Sequence, residues 1–357
     1  MSDARRQARG AAARPPAEGE APASRSASPA APGREEPTPP ATRPAIRHVG
    51  LVAKSGSREA THTSRELAEW LDRRGLVVAC DDATRRATGA QGPAFSAAEA
   101  YDLVIVLGGD GTLLAVARSL AREVPILGVN LGSLGFLTEI SRGELYPSLV
   151  EVLDGRYAIE ERPLLDVSLV RGGTPRGTAS SAAGGAKTPH QWRVFNDAVV
   201  MKGALSRIIE LSLRVDGNLV ARFRADGLIV SSPTGSTAYN LSAGGPIVHP
   251  LLPVILLTPI CPHALTLRPL VVPAAATVEL TLETDQEEVY LTLDGQEGAS
   301  VSRGDTIAVS RSERVSRLVK VSGRTFYDSL RGKLRWGGLN VAAHLGSDRG
   351  RGEGAEG

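Results

Sequence analysis

The apolar run Leu103-Val104-Ile105-Val106-Leu107 stops at Gly108-Gly109-Asp110-Gly111-Thr112, and a helical spacing resumes at Leu113, Val116 and Leu120. A short β-branched run bounded by glycines reads as a buried strand. The glycines let the backbone turn sharply or approach a ligand closely. One carboxylate, Asp110, is thereby set at a strand-to-helix turn. Backbone N–H groups at such a turn form a cradle for phosphate, aided by the helix dipole. Neither a Walker A sequence nor a Rossmann fingerprint accompanies it, since Leu114 stands where the third glycine of the fingerprint belongs. A carboxylate among phosphate-binding amides repels the phosphate unless it faces a metal ion or a hydroxyl nucleophile. For the pentapeptide alone, a helix cap is also consistent.

Around this turn the chain alternates strand and helix. Strands are expected at 48–54, 76–80, 103–107 and 124–130. One helix is expected to start at the capping-box spacing Thr63-x-x-Glu66 and stop at Gly75, and another, with Leu145, Leu149, Val152 and Leu153, to end at Gly155. This order predicts a parallel, Rossmann-like sheet with ligands at the carboxyl ends of its strands. After residue 156 the period becomes two, as in Leu165-Val167-Leu169, Ile209-Leu211-Leu213, Val278-Leu280-Leu282, Val289-Leu291-Leu293 and Ile307-Val309, with Asp216-Gly217 as a hairpin turn. The expected fold is therefore an α/β domain over 46–155, then a β-rich, β-sandwich-like domain over 156–322. A helix in 323–340 is expected to pack back on the first domain.

Composition bounds the rest. The 357 residues are 42% hydrophobic and 22% charged, enough for a substantial core. A net charge of +2 points to neither a nucleic-acid nor a membrane surface. Two distant cysteines, Cys80 and Cys261, fit a reducing compartment, and a cytoplasmic location is expected. No apolar run is long enough to span a bilayer. Residues 1–45, rich in Ala, Pro, Arg, Glu and Ser, and residues 341–357 read as disordered tails. Glu18, Glu20, Glu35 and Glu36 argue against a transit peptide. The low-complexity stretch 172–191 reads as a flexible loop. The six histidines show no metal-ligand spacing, and Cys261-Pro262-His263 reads as a packed loop.

A second constellation is Asp226, a buried-strand run, then Ser231-Ser232-Pro233-Thr234-Gly235-Ser236-Thr237-Ala238-Tyr239 and Gly244-Gly245-Pro246. Clustered hydroxyls, small residues and one aromatic suit hydrogen bonding and stacking against a nucleotide, although alone they also fit a Ser/Thr-rich turn. Over residues 46–340 the chain resembles the NAD kinase family. The resemblance rests on GGDGT at 108–112, NLGSLGFLTE at 130–139, FND at 195–197, DGLIVSSPTGSTAYNLSAGGPIV at 226–248, PICPHALTLRPLVV at 259–272 and LDGQ at 293–296. GGDGT is shared with diacylglycerol and sphingoid lipid kinases, whereas the 226–248 block is specific.

The resemblance implies phosphoryl transfer to the 2′-hydroxyl of the adenosine ribose of NAD, giving NADP. The donor is a magnesium complex of ATP, of another nucleoside triphosphate, or of polyphosphate. It implies Asp110 as the base, Gly108, Gly109, Gly111 and Thr112 at phosphate, and Gly111 also in backbone contact with NAD. It places Asn196 and Asp197 on NAD hydroxyls and amides, with Asp where the family more often has the longer Glu. Thr237, Ala238, Tyr239, Asn240, Leu241 and Ser242 are implied around the adenine, Asp226 near the nicotinamide, and Arg118, Arg207, Arg224 and Gln296 elsewhere along NAD. A homo-oligomer, dimer or tetramer, is implied as well. The alternatives are a lipid kinase and a non-catalytic dinucleotide-binding module. A lipid kinase is not expected to carry the 226–248 block, nor a degenerate binder to keep Asp110.

Because residues 1–45 carry no core-forming pattern, a chain starting at Ala45 is expected to fold and phosphorylate NAD as well as the full chain. Soluble yield and specific activity of the two chains, measured side by side, check this.

Overall fold

The structure, a computed structural model, describes residues 45–89, 92–132, 135–172, 190–285, 288–321 and 323–336. The expectations for the two tails, for the loop within 172–191 and for the end of the last helical stretch fall wholly or largely outside the described residues.

The first part forms β1 (His48–Ala53), α1 (Arg58–Asp72), β2 (Val77–Cys80), α2 (Asp82–Thr88), β3 (Leu103–Leu107), α3 (Asp110–Ser119) and β4 (Pro125–Asn130). The four strands are parallel, in the order β2-β1-β3-β4. All five residues of β3 are buried, as an unbroken apolar run requires when both faces of a sheet are covered. One helix start differs from expectation. The cap of α1 is Ser57, whose hydroxyl accepts from the Ala60 N–H, and Thr63 and Ser64 lie buried inside the helix on the stripe with Leu67 and Leu71. Small side chains there let the helix approach the sheet, a role that a capping-box pattern does not distinguish. Helix α3 starts at Asp110, and its cap is Gly109 in the extended conformation, with no side-chain cap bond. The seven-residue α2 was too short to show a period.

The chain continues through β5 (Ile140–Ser141), α4 (Leu145–Leu153), β6 (Ala158–Val170), β7 (His190–Val194), β8 (Asp197–Lys202), β9 (Ile209–Val215), β10 (Asn218–Ala225), β11 (Gly227–Ser231), α5 (Tyr239–Ser242), β12 (Val254–Ile260), β13 (Leu270–Pro273), β14 (Val278–Leu282), β15 (Val289–Leu293), β16 (Glu297–Ser300), β17 (Thr306–Lys320) and α6 (Phe326–Leu334). Asp216 and Gly217 both have positive φ and close the β9–β10 hairpin with the twist that antiparallel strands favour.

These strands build two sheets. One runs β10-β9-β14-β17-β4-β3-β1-β2, with β5 beside β4, β6 beside β17 and β7 beside β6; the other is β13-β12-β11-β8-β15-β16. The alternating apolar residues of both, such as Leu211, Leu213 and Leu280 facing Val200, Val230 and Leu291, fill one core between them. Strand β17 is the seam of the first sheet. It pairs antiparallel with β6 and β14, but parallel with β4 at Arg317 and Leu318. The sheet therefore continues past residues 155–156, where the sequence pattern changes.

Helix α3 sits close on β4. A Cβ at Gly128 would lie 2.6 Å from Leu113 Cδ1 and 3.1 Å from the Thr138 Cα. Gly128→Ala is expected to lift α3 from the sheet and to cost ~1–3 kcal/mol, the usual range for an overpacked core. Denaturant unfolding of the variant against the parent chain measures it.

Candidate active site

The turn after β3 is built by close contacts that only glycine allows. A Cβ at Gly108 would lie 2.6 Å from Thr112 Oγ1, and a Cβ at Gly135 would lie 1.9 Å from Asp110 Oδ1. Asp110 is half-buried rather than facing solvent. Its Oδ2 accepts from the Phe136 N–H at 2.8 Å. Its Oδ1 accepts from the Leu137 and Thr138 N–H groups at 3.2 and 3.1 Å and from the Thr138 hydroxyl at 3.3 Å. The carboxylate thus holds the 135–138 loop in place, while Oδ2, with a single donor, keeps a lone pair free.

Asp110 opens on a cleft of about 480 Å³ lined by Lys54, Ser57, Glu59, Gly108, Gly109, Asn130, Leu131, Gly132, Gly135 and Lys333. At its floor, Asn130 donates to the Thr138 hydroxyl and accepts from the Gly132 N–H. This is an anion site in character: the N-terminus of a ten-residue helix with two lysines beside it.

A second group lies at the β15–β16 turn. Asp294, with positive φ and no exposed side-chain surface, accepts from the N–H groups of Phe195, Asn196 and Asp197 at 2.9, 2.7 and 3.1 Å. Arg118, on the last turn of α3, sits 3.7 Å from the Asp294 carboxylate, donates to Leu293 O and pairs with Glu297. Gln296 donates to Gly111 O at 2.9 Å. The turn therefore grips both ends of α3 and the Asn196–Asp197 segment together. Sequence reading missed the role of Asp294, although it stands in the LDGQ segment. The bonds it makes run to residues about a hundred positions away, and no local pattern encodes them.

Burial, with the charge of Asp294 beside it, pushes the Asp197 carboxyl up to about 7. Burial raises Asp294 as well, opposed by its three N–H donors and by Arg118. Asp294 is the better-supported anion, so Asp197 takes the proton of the pair.

The other expected site residues divide. Most hydroxyls of the 231–237 block turn inward rather than toward a ligand. Ser231 and Ser232 donate to Asn196 O and Phe195 O, and Ser236 to Val248 O. Asn240 is fully buried; it donates to Ser236 O and Pro246 O and accepts from the Thr258 hydroxyl, so its side chain is a strut rather than an adenine contact. What the block presents outward is Ser242, the half-buried Thr237, Ala238 and Leu241, and Tyr239, which is 39% exposed with its hydroxyl on Met201 Sδ. Asp226 faces Lys202 at 3.7 Å. Arg207 and Arg224 are exposed, and the Asn196 carboxamide carries no hydrogen bond among the described residues. Arg118 and Gln296 are spent on the β15–β16 turn. Among the described residues no three His, Cys, Asp or Glu side chains group as a metal site.

Residues 49–157 match the family described as ATP-NAD kinase N-terminal domain, and residues 195–321 the ATP-NAD kinase C-terminal domain. The NAD kinase of Geotalea daltonii is 47% identical over 303 residues, covering 82% of this chain and 99% of that one. That of Geobacter metallireducens is 44% identical over 294 residues with the same coverage. Among solved structures, a yeast NADH kinase complexed with NADH aligns with a TM-score of 0.73 at 24% identity, covering 83% of this chain and 89% of that one. An NAD kinase from Archaeoglobus fulgidus in complex with ATP aligns with a TM-score of 0.60 at 26% identity, covering 81% and 98%. None of these relatives supports the lipid-kinase alternative.

Asp197 gives the site a pH signature. Its pKa is near 3.8 when free and about 7 in the fold, so the folded chain binds the extra proton and stability falls as pH rises from about 4 to 7. Asp197→Asn, which carries no charge to bury, is expected to lose less stability over that window. Melting temperatures of both chains at pH 5 and pH 8 should differ most at pH 8, with the variant the higher.

Proposed function

Because the chain belongs to the NAD kinase family, whose reaction is ATP-dependent phosphorylation of NAD, we propose that Asp110 is the general base of that transfer and that the acceptor is the 2′-hydroxyl of the adenosine ribose. The observation that carries this reading is a carboxylate with one free lone pair at the mouth of an anion cleft. A hydroxyl placed between Asp110 and a terminal phosphate gives its proton to Oδ2 as its oxygen bonds to phosphorus. The bond from phosphorus to the leaving ADP oxygen breaks in the same displacement.

The glycine amides of 108, 109 and 111, with Thr112, take the donor's phosphates. The groups lining this cleft suit phosphate oxygens better than a bare divalent cation. Glu59 is engaged by Arg142, and three of the four bonds to Asp110 come from backbone amides. Magnesium accordingly enters as part of the nucleotide substrate, and polyphosphate is a second donor to assay. NAD lies along the exposed faces of Tyr239, Thr237, Ala238, Leu241 and Ser242, the free Asn196 carboxamide and Asp226, with Arg207 and Arg224 at its rim. Asp197 and Asn240 act on NAD through the backbone they shape. A homo-oligomer in the cytoplasm is part of this reading; no helix among the described residues is long and apolar enough to cross a membrane.

Asp110→Asn is expected to lower kcat by about 10²–10⁴, the usual loss of a general base, with calorimetric NAD binding retained. It should also lower the melting temperature, since an amide NH₂ cannot accept from the 136–138 loop. Thr138→Val disturbs the same loop and keeps the carboxylate, so it is expected to lose far less activity. Near-normal turnover of Asp110→Asn would remove the base assignment.

A further inference from the structure

Two cations converge on the cleft beside Asp110 from opposite ends of the chain. Lys54 follows β1 directly, and its backbone N–H donates to Leu107 O at 2.8 Å, at the residue before the glycine turn. Lys333 comes from the last turn of α6, only thirteen residues after Lys320, the end of β17. Both are exposed, and neither ammonium has an ion pair or hydrogen bond among the described residues. By contrast, the acidic residue that shares the cleft wall with them, Glu59, is paired with Arg142 at 3.1 Å. The cleft thus holds two unpaired positive charges against the one carboxylate of Asp110.

The position of Lys333 is fixed rather than incidental. Thr325 and Asp328 cap α6 reciprocally, with bonds of 2.8 and 3.2 Å between side chains and backbone, and Leu330 buries its inner face. Arg324, just before the helix, donates to Glu139 O at 3.3 Å and pairs with Glu144 at 2.7 Å. Glu139 directly follows the loop whose amides hold Asp110. The root of α6 and the Asp110 carboxylate are therefore referred to one loop, and the helix carries its lysine back over the glycine turn.

We propose that Lys54 and Lys333 bind the phosphate chain of the donor, so that the C-terminal helix is part of the transfer site. The inference rests on the reading of the Gly108–Thr112 cleft as the donor's phosphate site. Two ammonium groups lining one cleft would hold a polyanion by point charge. The charge on the β- and γ-phosphates would be offset next to Asp110, which otherwise repels them. The same chemistry also suits the diphosphate of the dinucleotide, and the kinetic test separates the two sources.

The test is steady-state kinetics of Lys54→Gln, Lys333→Gln and Lys333→Arg. ATP is varied at saturating NAD and NAD at saturating ATP, with inorganic tripolyphosphate as a competitor and melting temperatures alongside. Losing one charge-assisted contact to phosphate is expected to raise KM for ATP by roughly tenfold in each glutamine variant. The tripolyphosphate inhibition constant should weaken in parallel, while KM for NAD and the melting temperature stay unchanged and Lys333→Arg recovers most of the loss. A rise in KM for NAD instead would assign the lysines to the dinucleotide, and unchanged constants for both substrates would leave them as solvated surface charges; either result overturns the proposal. Failure of Asp110 as base shows separately, as retained turnover in Asp110→Asn, because the lysine effects are read in KM with Asp110 intact.

Discussion

The buried carboxylate of Asp294 is the contact on which the arrangement of the site depends. A charge with no exposed surface is stable only if its oxygens are filled, and here three consecutive backbone amides fill them while Arg118 supplies a counter-charge. Removing one partner of such a pair typically costs about 3–5 kcal/mol, because the other is left uncompensated. The geometry gives the interaction its meaning. The amides belong to the end of β7 and the start of β8 in one half of the molecule, and the arginine to the helix that begins with Asp110 in the other. A single side chain thereby sets the separation between the proposed base and the Asn196 segment to within the slack of a few hydrogen bonds.

Asp110 repeats the device on a smaller scale. Its carboxylate organises the 135–138 loop, and in return the loop fixes the direction of the free lone pair. A group bound this firmly needs little reorganisation when a hydroxyl arrives, which is the condition under which fixed dipoles act most strongly on a reacting centre. The arrangement explains why Gly135 has no room for a side chain: a methyl group there would overlap the carboxylate itself.

Sequence reading found what is periodic or local. The unbroken run of β3, the alternation in β9, β14 and β15, and the Asp216-Gly217 turn each carry their structure within a few residues. It placed the GGDGT turn at the carboxyl end of a parallel strand, where the cleft lies. It did not see that most hydroxyls of the 231–237 block, and Asn240, are used internally. Composition shows that a polar group is present, while its direction depends on which strand packs behind it. Nor could it see Lys333 beside Lys54, since solvated lysines on a short helix look alike whether or not a cleft lies opposite. The mixed pairing of β17 was equally hidden, because alternating residues specify a face of a sheet and say nothing of which neighbour the strand joins.

That pairing bears on how the chain is made. At Pro125 and Ile126 the edge of the parallel sheet is closed by Arg317 and Leu318, which are synthesised long after the rest of that sheet has left the ribosome. Until then the N-terminal half presents an open strand edge, a surface that pairs readily with other chains. Glu123 lies just before that edge and leaves a charge beside the unpaired strand, which discourages pairing with the wrong partner; once β17 arrives, Glu123 accepts from the Val315 N–H and pairs with Arg317. The late strand thus acts as a clasp, and the half of the molecule that carries Asp110 reaches its final form only when nearly the whole chain is present.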